Sequence, residues 1–190
     1  MEDKFIMMDK KFKYYLNAVH YCIYLEEKWS MKKVDNSVLW IMHYLSILFS
    51  AENFYNKKVG ERKKSNELRE YMYSKEGGVS ISSAHHWFGL FYSGYSSIFS
   101  FILLGGYFRF WRNEYPLLSL LIIAIPIGIF YIPAYRAVFS KDRYLKYFKQ
   151  FEEEDERWLK KWRRRTILFC VGSIAAFLMG ILSAWGILSL

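Results

Sequence analysis

From Thr166 to Leu190 the chain carries no Asp, Glu, Lys or Arg, and the three residues just before that run are Arg163, Arg164 and Arg165. No other feature constrains the fold so tightly. About a quarter of an average soluble chain is charged. Here 24% of residues are charged, so charge has been sorted along the chain rather than diluted. Two more runs, Gly77–Phe108 and Tyr115–Tyr135, are also free of charge. Lys and Arg number 7 in residues 1–36, 7 in 52–76, 2 in 109–115 and 11 in 136–165, and acidic residues number 6, 5, 1 and 6 in the same windows. Apolar runs separated by charged connections are the layout of a membrane protein.

Length supports the same reading. As helices, Trp87–Phe108 and Thr166–Leu190 reach about 33 and 37 Å, against a hydrocarbon core of about 30 Å. Pro126 and Pro133 interrupt the middle run. Each removes a backbone donor, a loss that spanning helices tolerate when neighbours satisfy the freed carbonyls. The expected fold is therefore an all-α integral membrane protein with three transmembrane helices, at about 87–108, 115–137 and 166–190. Basic loops stay in the cytoplasm. The eleven Lys/Arg of 136–165 face inward, and Arg109 and Arg112 face outward. The expected location is the plasma (inner) membrane of a bacterial cell, with a cytoplasmic N-terminus and the C-terminus outside. The opening MEDKFIMMDKKFK has no apolar h-region, so an internal segment is expected to direct insertion.

Residues 1–86 read as a cytoplasmic helical region ahead of a membrane domain over 87–190. Within 4–29, Phe5, Met8, Phe12, Tyr15, Leu16, Val19, Cys22 and Ile23 recur at three- and four-residue spacing, which predicts an amphipathic helix. MKKVDNS breaks that pattern, and Asp35, Asn36 or Ser37 offers a cap for a second helix. Residues 38–51 are apolar nearly all round and are expected to fold back onto the first helix. A short fourth span there is the rival reading. A polar helix over 52–75 and a loop at EGGVSISS complete the region.

Between the second and third spans, 140–165 reads as an amphipathic segment that either lies as a helix along the membrane surface or folds as a hairpin, with the acidic run Glu152–Glu156 available to the lysine-rich N-terminal helices. Tyr144, Tyr147, Phe148, Phe151, Trp158 and Trp162 share one stripe, interrupted by Asp155, and Arg163, Arg164 and Arg165 stand at its end. Aromatic anchors flanked by cations suit an anionic leaflet. A second pattern concerns packing. Gly172, Ala176, Gly180 and Ala184 recur every four residues, and Gly89, Ser93 and Ser97 form a weaker counterpart in the first span. Small residues at this spacing let helices approach closely. The ridge serves either packing between these two spans or a homo-oligomer through the third.

Sites for chemistry are sparse. His85 and His86 are adjacent, so on a helix their side chains diverge by about 100° and do not converge on one ion. His20 and His43 fit no metal spacing. The chain has no phosphate-binding glycine motif and no G-x-S-x-G. No Asp, Glu, Lys or Arg lies within the three charge-free runs, which weighs against ion-coupled transport. No metal or other cofactor is implied. The net charge of +9 is spread over loops as topology demands, so nucleic acid is not an expected partner. The reading is non-enzymatic: a membrane-anchored interaction or assembly subunit that binds a protein partner through residues 1–76. The rivals are an oligomeric pore, an immunity-type protein binding a membrane-acting toxin, and a lipid-active enzyme using His85 or His86.

Overall fold

The computed structural model describes residues 2–48, 73–74, 78–111 and 116–189. Of these, 95% are helical and none is in a strand. Among the described residues, five α-helices follow in order: α1 (Glu2–Leu48), α2 (Val79–Trp111), α3 (Pro116–Val138), α4 (Arg143–Glu152) and α5 (Glu156–Ser189). A short 3-10 turn, Ser140–Asp142, separates α3 from α4. Three stretches within these helices are long and apolar enough to cross a membrane, in Val79–Trp111, Leu117–Glu152 and Glu156–Ser189. The chain divides into two compact units, one of residues 1–22 with 86–190 and one of residues 23–85.

Several boundaries differ from the sequence reading. MKKVDNS does not end a helix, because α1 runs through it to Leu48. Ser37, expected as a cap, donates its hydroxyl to the Lys33 carbonyl one turn back within the same helix. Serine can bond a carbonyl four residues back instead of capping. Residues 38–48 therefore continue α1 rather than fold back as a second helix, and the polar stretch 52–75 lies almost wholly outside the described residues. The serine-rich VSISS is helical, not a loop. In the unit of residues 23–85, Ser80 donates to Met31 Sδ at 3.2 Å and Ser83 to Glu27 Oε1 at 2.6 Å. Partners on α1 occupy hydroxyls that would otherwise compete with the helix backbone.

The 140–165 segment is not one helix. Lys141 and Asp142 have φ of 57° and 50°, a left-handed pair that turns the chain between α3 and α4. Asp155, the intruder in the aromatic stripe, caps α5: its carboxylate accepts the Trp158 backbone N–H at 2.7 Å. Residues 156–165 are thus the opening turns of the same helix that carries the third apolar run.

α2, α3 and α5 run up, down and up. Ser100 on α2 donates to the Ile123 carbonyl at 3.0 Å, in the turn that Pro126 disrupts. Phe99 stacks on Phe130 at 5.1 Å. α5 buries Thr166, Phe169, Ser173, Ala176 and Gly180, at alternating three- and four-residue steps that make a narrow seam. The seam lies against α2. A methyl group on Gly180 would stand 2.9 Å from Phe101 Cδ2 and 3.1 Å from Ile98 Cα, and one on Gly105 would stand 2.9 Å from Ala184 Cα. Gly106, the next residue, has nothing within 4 Å of such a methyl. Gly105→Ala should therefore destabilise the protein by about 1–3 kcal/mol through forced separation of the helices. Gly106→Ala should be neutral or stabilising by up to about 1 kcal/mol. Thermal unfolding of the two variants in detergent micelles checks this, and equal midpoints would contradict the packing.

Candidate functional site

The most developed site is an aromatic cluster in the unit of residues 1–22 and 86–190. The stripe Tyr144, Phe148, Phe151 and Trp162, expected at a membrane surface, is buried. One face of α1 covers the stripe. Tyr14 packs edge-on against Tyr147, Phe151 and Trp162, with ring centroids 6.4, 5.2 and 5.7 Å away. Tyr21 packs on Phe148 at 4.9 Å, Phe151 at 5.7 Å and Trp158 at 6.4 Å. The Trp158 indole N–H donates to the Tyr14 hydroxyl at 2.9 Å. Tyr144, Phe148, Phe151 and Trp162 spend their faces on these contacts, whereas Tyr147 and Trp158 keep part of theirs exposed.

His20 sits at the centre of the cluster with 0% exposure. Phe88, Phe139 and Tyr144 stand edge to face with its ring, at 5.3, 5.5 and 5.8 Å, and Phe148 lies tilted at 5.2 Å. Phe88 also stacks on Phe169 at 6.3 Å, so a single ring joins α2 to α1, to the end of α3 and to α5. Asn17 is equally buried, and its amide donates to the Lys13 carbonyl at 2.7 Å and the Ala137 carbonyl at 3.1 Å. Ala137 lies in the last turn of α3, where carbonyls lack intrahelical donors. Arg143 donates to the neighbouring Arg136 carbonyl at 2.7 Å. The end of α3 is thus closed by side chains from α1 and α4. Burial pushes the Tyr15 hydroxyl above the usual tyrosine range, and the Arg165 guanidinium offsets part of that rise.

The remaining expected residues are placed as follows. Arg163, Arg164 and Arg165 are exposed, with Arg165 lying over the Trp162 ring at 4.7 Å. Tyr147 and Trp158 are half-buried. The four ridge residues of α5 all serve contact with α2 or burial: Gly172 meets the Tyr95 hydroxyl, Gly180 meets Ile98 and Phe101, Ala184 meets Gly105, and Ala176 is buried. Their counterparts on α2 are Tyr95, Ile98, Phe101 and Gly105. Gly89 faces Tyr131 of α3 instead. Ser93 and Ser97 bond carbonyls of their own helix, Leu90 and Gly94. His86 is exposed beside Trp87, His85 is half-buried, and the His43 side chain lies outside the described residues. Among the described residues, no three His, Cys, Asp or Glu side chains stand close enough to hold a metal.

Comparison with protein-family models, with curated proteins and with solved structures finds no match to this chain.

The contacts that define the cluster are ring against ring, with side chains closing the end of α3. The cluster's chemistry is cohesive: it clasps residues 14–21 to the segment 139–169. Phe148→Ala should cost about 3–5 kcal/mol, as expected for a fully buried ring. Tyr21→Ala and Phe148→Ala should couple by about 0.5–1.5 kcal/mol in a double-mutant cycle of thermal unfolding. Simple additivity would show that the two rings do not meet.

Proposed function

We propose that this chain is a multi-pass membrane protein with three spans, in α2, α3 and α5, that acts without catalysing a reaction as a membrane-anchored interaction or assembly subunit. The observation that carries the membrane reading is the outward apolar surface. Leu117, Leu120, Leu168 and Leu182 are 71%, 65%, 70% and 70% exposed, and only 6% of the apolar window in α3 is buried. Water-soluble monomers rarely expose apolar patches beyond a few hundred Å², whereas lipid accepts such a surface. Exposed Trp111 and Trp185 toward one end of the apolar helices, and Trp87 toward the other, suit the two interfaces.

The aromatic clasp supports one part of the topology read from charge, that the N-terminal segment and 136–165 share a side. A fourth span at 38–51 would put residues 1–36 across the membrane from residues 136–165. Residues 14–21 would then be unable to meet Phe148, Phe151 and Trp162. Three spans leave both segments on the cytoplasmic side. The pore reading relied on the α5 ridge for self-association, and α2 already occupies that ridge.

The interaction role rests on the unit of residues 23–85. There α1 exposes Trp29, Val34, Trp40 and Ile41, at 59%, 59%, 69% and 49%. Exposed tryptophans are frequent anchors of protein interfaces. A protein partner docking on residues 23–48 narrows the wider stretch suggested by composition. Reporter fusions after residues 76, 112, 150 and 190 should read inside, outside, inside and outside. A photo-crosslinking residue at Trp29 or Trp40 in intact cells should then give a discrete protein adduct. Correct topology with no adduct at either position would contradict the interaction role.

A further inference from the structure

A lateral groove of about 420 Å³ opens between α2 and α3, near the end of α2 that leads into residues 112–115. Ile102, Gly106, Tyr107 and Trp111 line one side, and Leu118 and Ile122 line the other. Helix interfaces normally close up until no void exceeds a water molecule. This one does not close, for a local reason: Gly106 puts no side chain on the floor, and a methyl there would find nothing within 4 Å. Tyr107, 5% exposed, and Trp111 stack at 6.0 Å into a fixed aromatic wall.

We propose that this groove holds one acyl chain of a membrane phospholipid, from the leaflet that Trp111 reaches, as a bound ligand rather than passing solvent. The inference rests on the membrane reading above. Three observations favour a single chain over another helix or a polar ligand. The lining is apolar apart from the Tyr107 hydroxyl. From Ile102 to Trp111 the groove runs nine helical steps, about 14 Å, close to the hydrocarbon depth of one leaflet at about 15 Å. Trp111 is 56% exposed at the end where headgroups would lie, and tryptophan favours that depth.

The full chain would be reconstituted into phosphatidylcholine vesicles doped with a phosphatidylcholine that carries a diazirine in mid-chain. After irradiation, label should concentrate on peptides spanning 102–111 and 117–122. They should exceed the peptides holding Leu168 and Leu182, which are barer still at 70% each, by about tenfold. Gly106→Phe, which fills the floor, should reduce labelling at 102–122 to the level at Leu168 and Leu182. Leu118→Trp should do the same from the opposite wall. Even labelling over all bare apolar faces in the unaltered protein would overturn the proposal, because it would leave only ordinary surrounding lipid. Concentrated labelling that both variants leave intact would also overturn it. Label nowhere, with the protein recovered in the aqueous fraction, would overturn the membrane reading itself.

Discussion

The structure turns on the contact between residues 14–21 of α1 and the aromatic face of 139–169. Phe88 and Phe148 are fully buried there, and each is the kind of side chain whose truncation costs about 3–5 kcal/mol. Against a net stability of about 5–15 kcal/mol for an ordinary domain, two such rings decide whether the arrangement exists. The contact also solves a polar problem. α3 ends at Val138 with carbonyls that need donors, and Asn17 and Arg143 supply them. Without α1 in place, the Ala137 carbonyl would lose the donor that reaches it across the cluster.

The apolar helices are held by a different kind of force. In the lipid setting proposed for them, apolar attraction does not favour helix over solvent, so close approach and hydrogen bonds must do so. α5 against α2 has both: Gly94, Gly105 and Gly180 let the backbones approach, and the Tyr95 hydroxyl donates to the Phe169 carbonyl at 2.7 Å. α3 has less. Ser100, the Phe99–Phe130 stack and the edge contact of Tyr92 with Tyr131 at 6.1 Å tie it to α2, and most of its length is bare. α3 is therefore the helix with the most freedom to shift, and the groove beside Gly106 lies along its less closely packed edge.

Much of this architecture could be read from residue order, because sorting charge is a constraint on every residue in a run. The three apolar helices followed from the absence of Asp, Glu, Lys and Arg, and Pro126 and Pro133 did not break the middle one. What could not be read was which surface each stripe faces. Tyr144, Phe148 and Phe151 suit a lipid headgroup and a protein core equally well. The choice depended on a second stripe, around Tyr14 and Tyr21, more than a hundred residues away. Local breaks misled for a related reason. Ser37 and Ser80 resemble cap or loop residues, but their hydroxyls found other acceptors, Lys33 one turn back and Met31 on α1. Gly89 faces Tyr131 of α3 rather than α5, since small residues alone do not say which helix they face.

The central claim is that residues 14–21 meet the 144–162 segment on one side of the membrane. It is tested most directly by disulfide trapping in native membranes, with Cys22 and Cys170 replaced by alanine. The pair Tyr21→Cys with Phe148→Cys should form an intramolecular bond on mild oxidation, and Tyr21→Cys with Phe110→Cys should not. Impermeant thiol reagents reaching positions 21 and 148 from opposite faces, with no bond formed between them, would contradict the account.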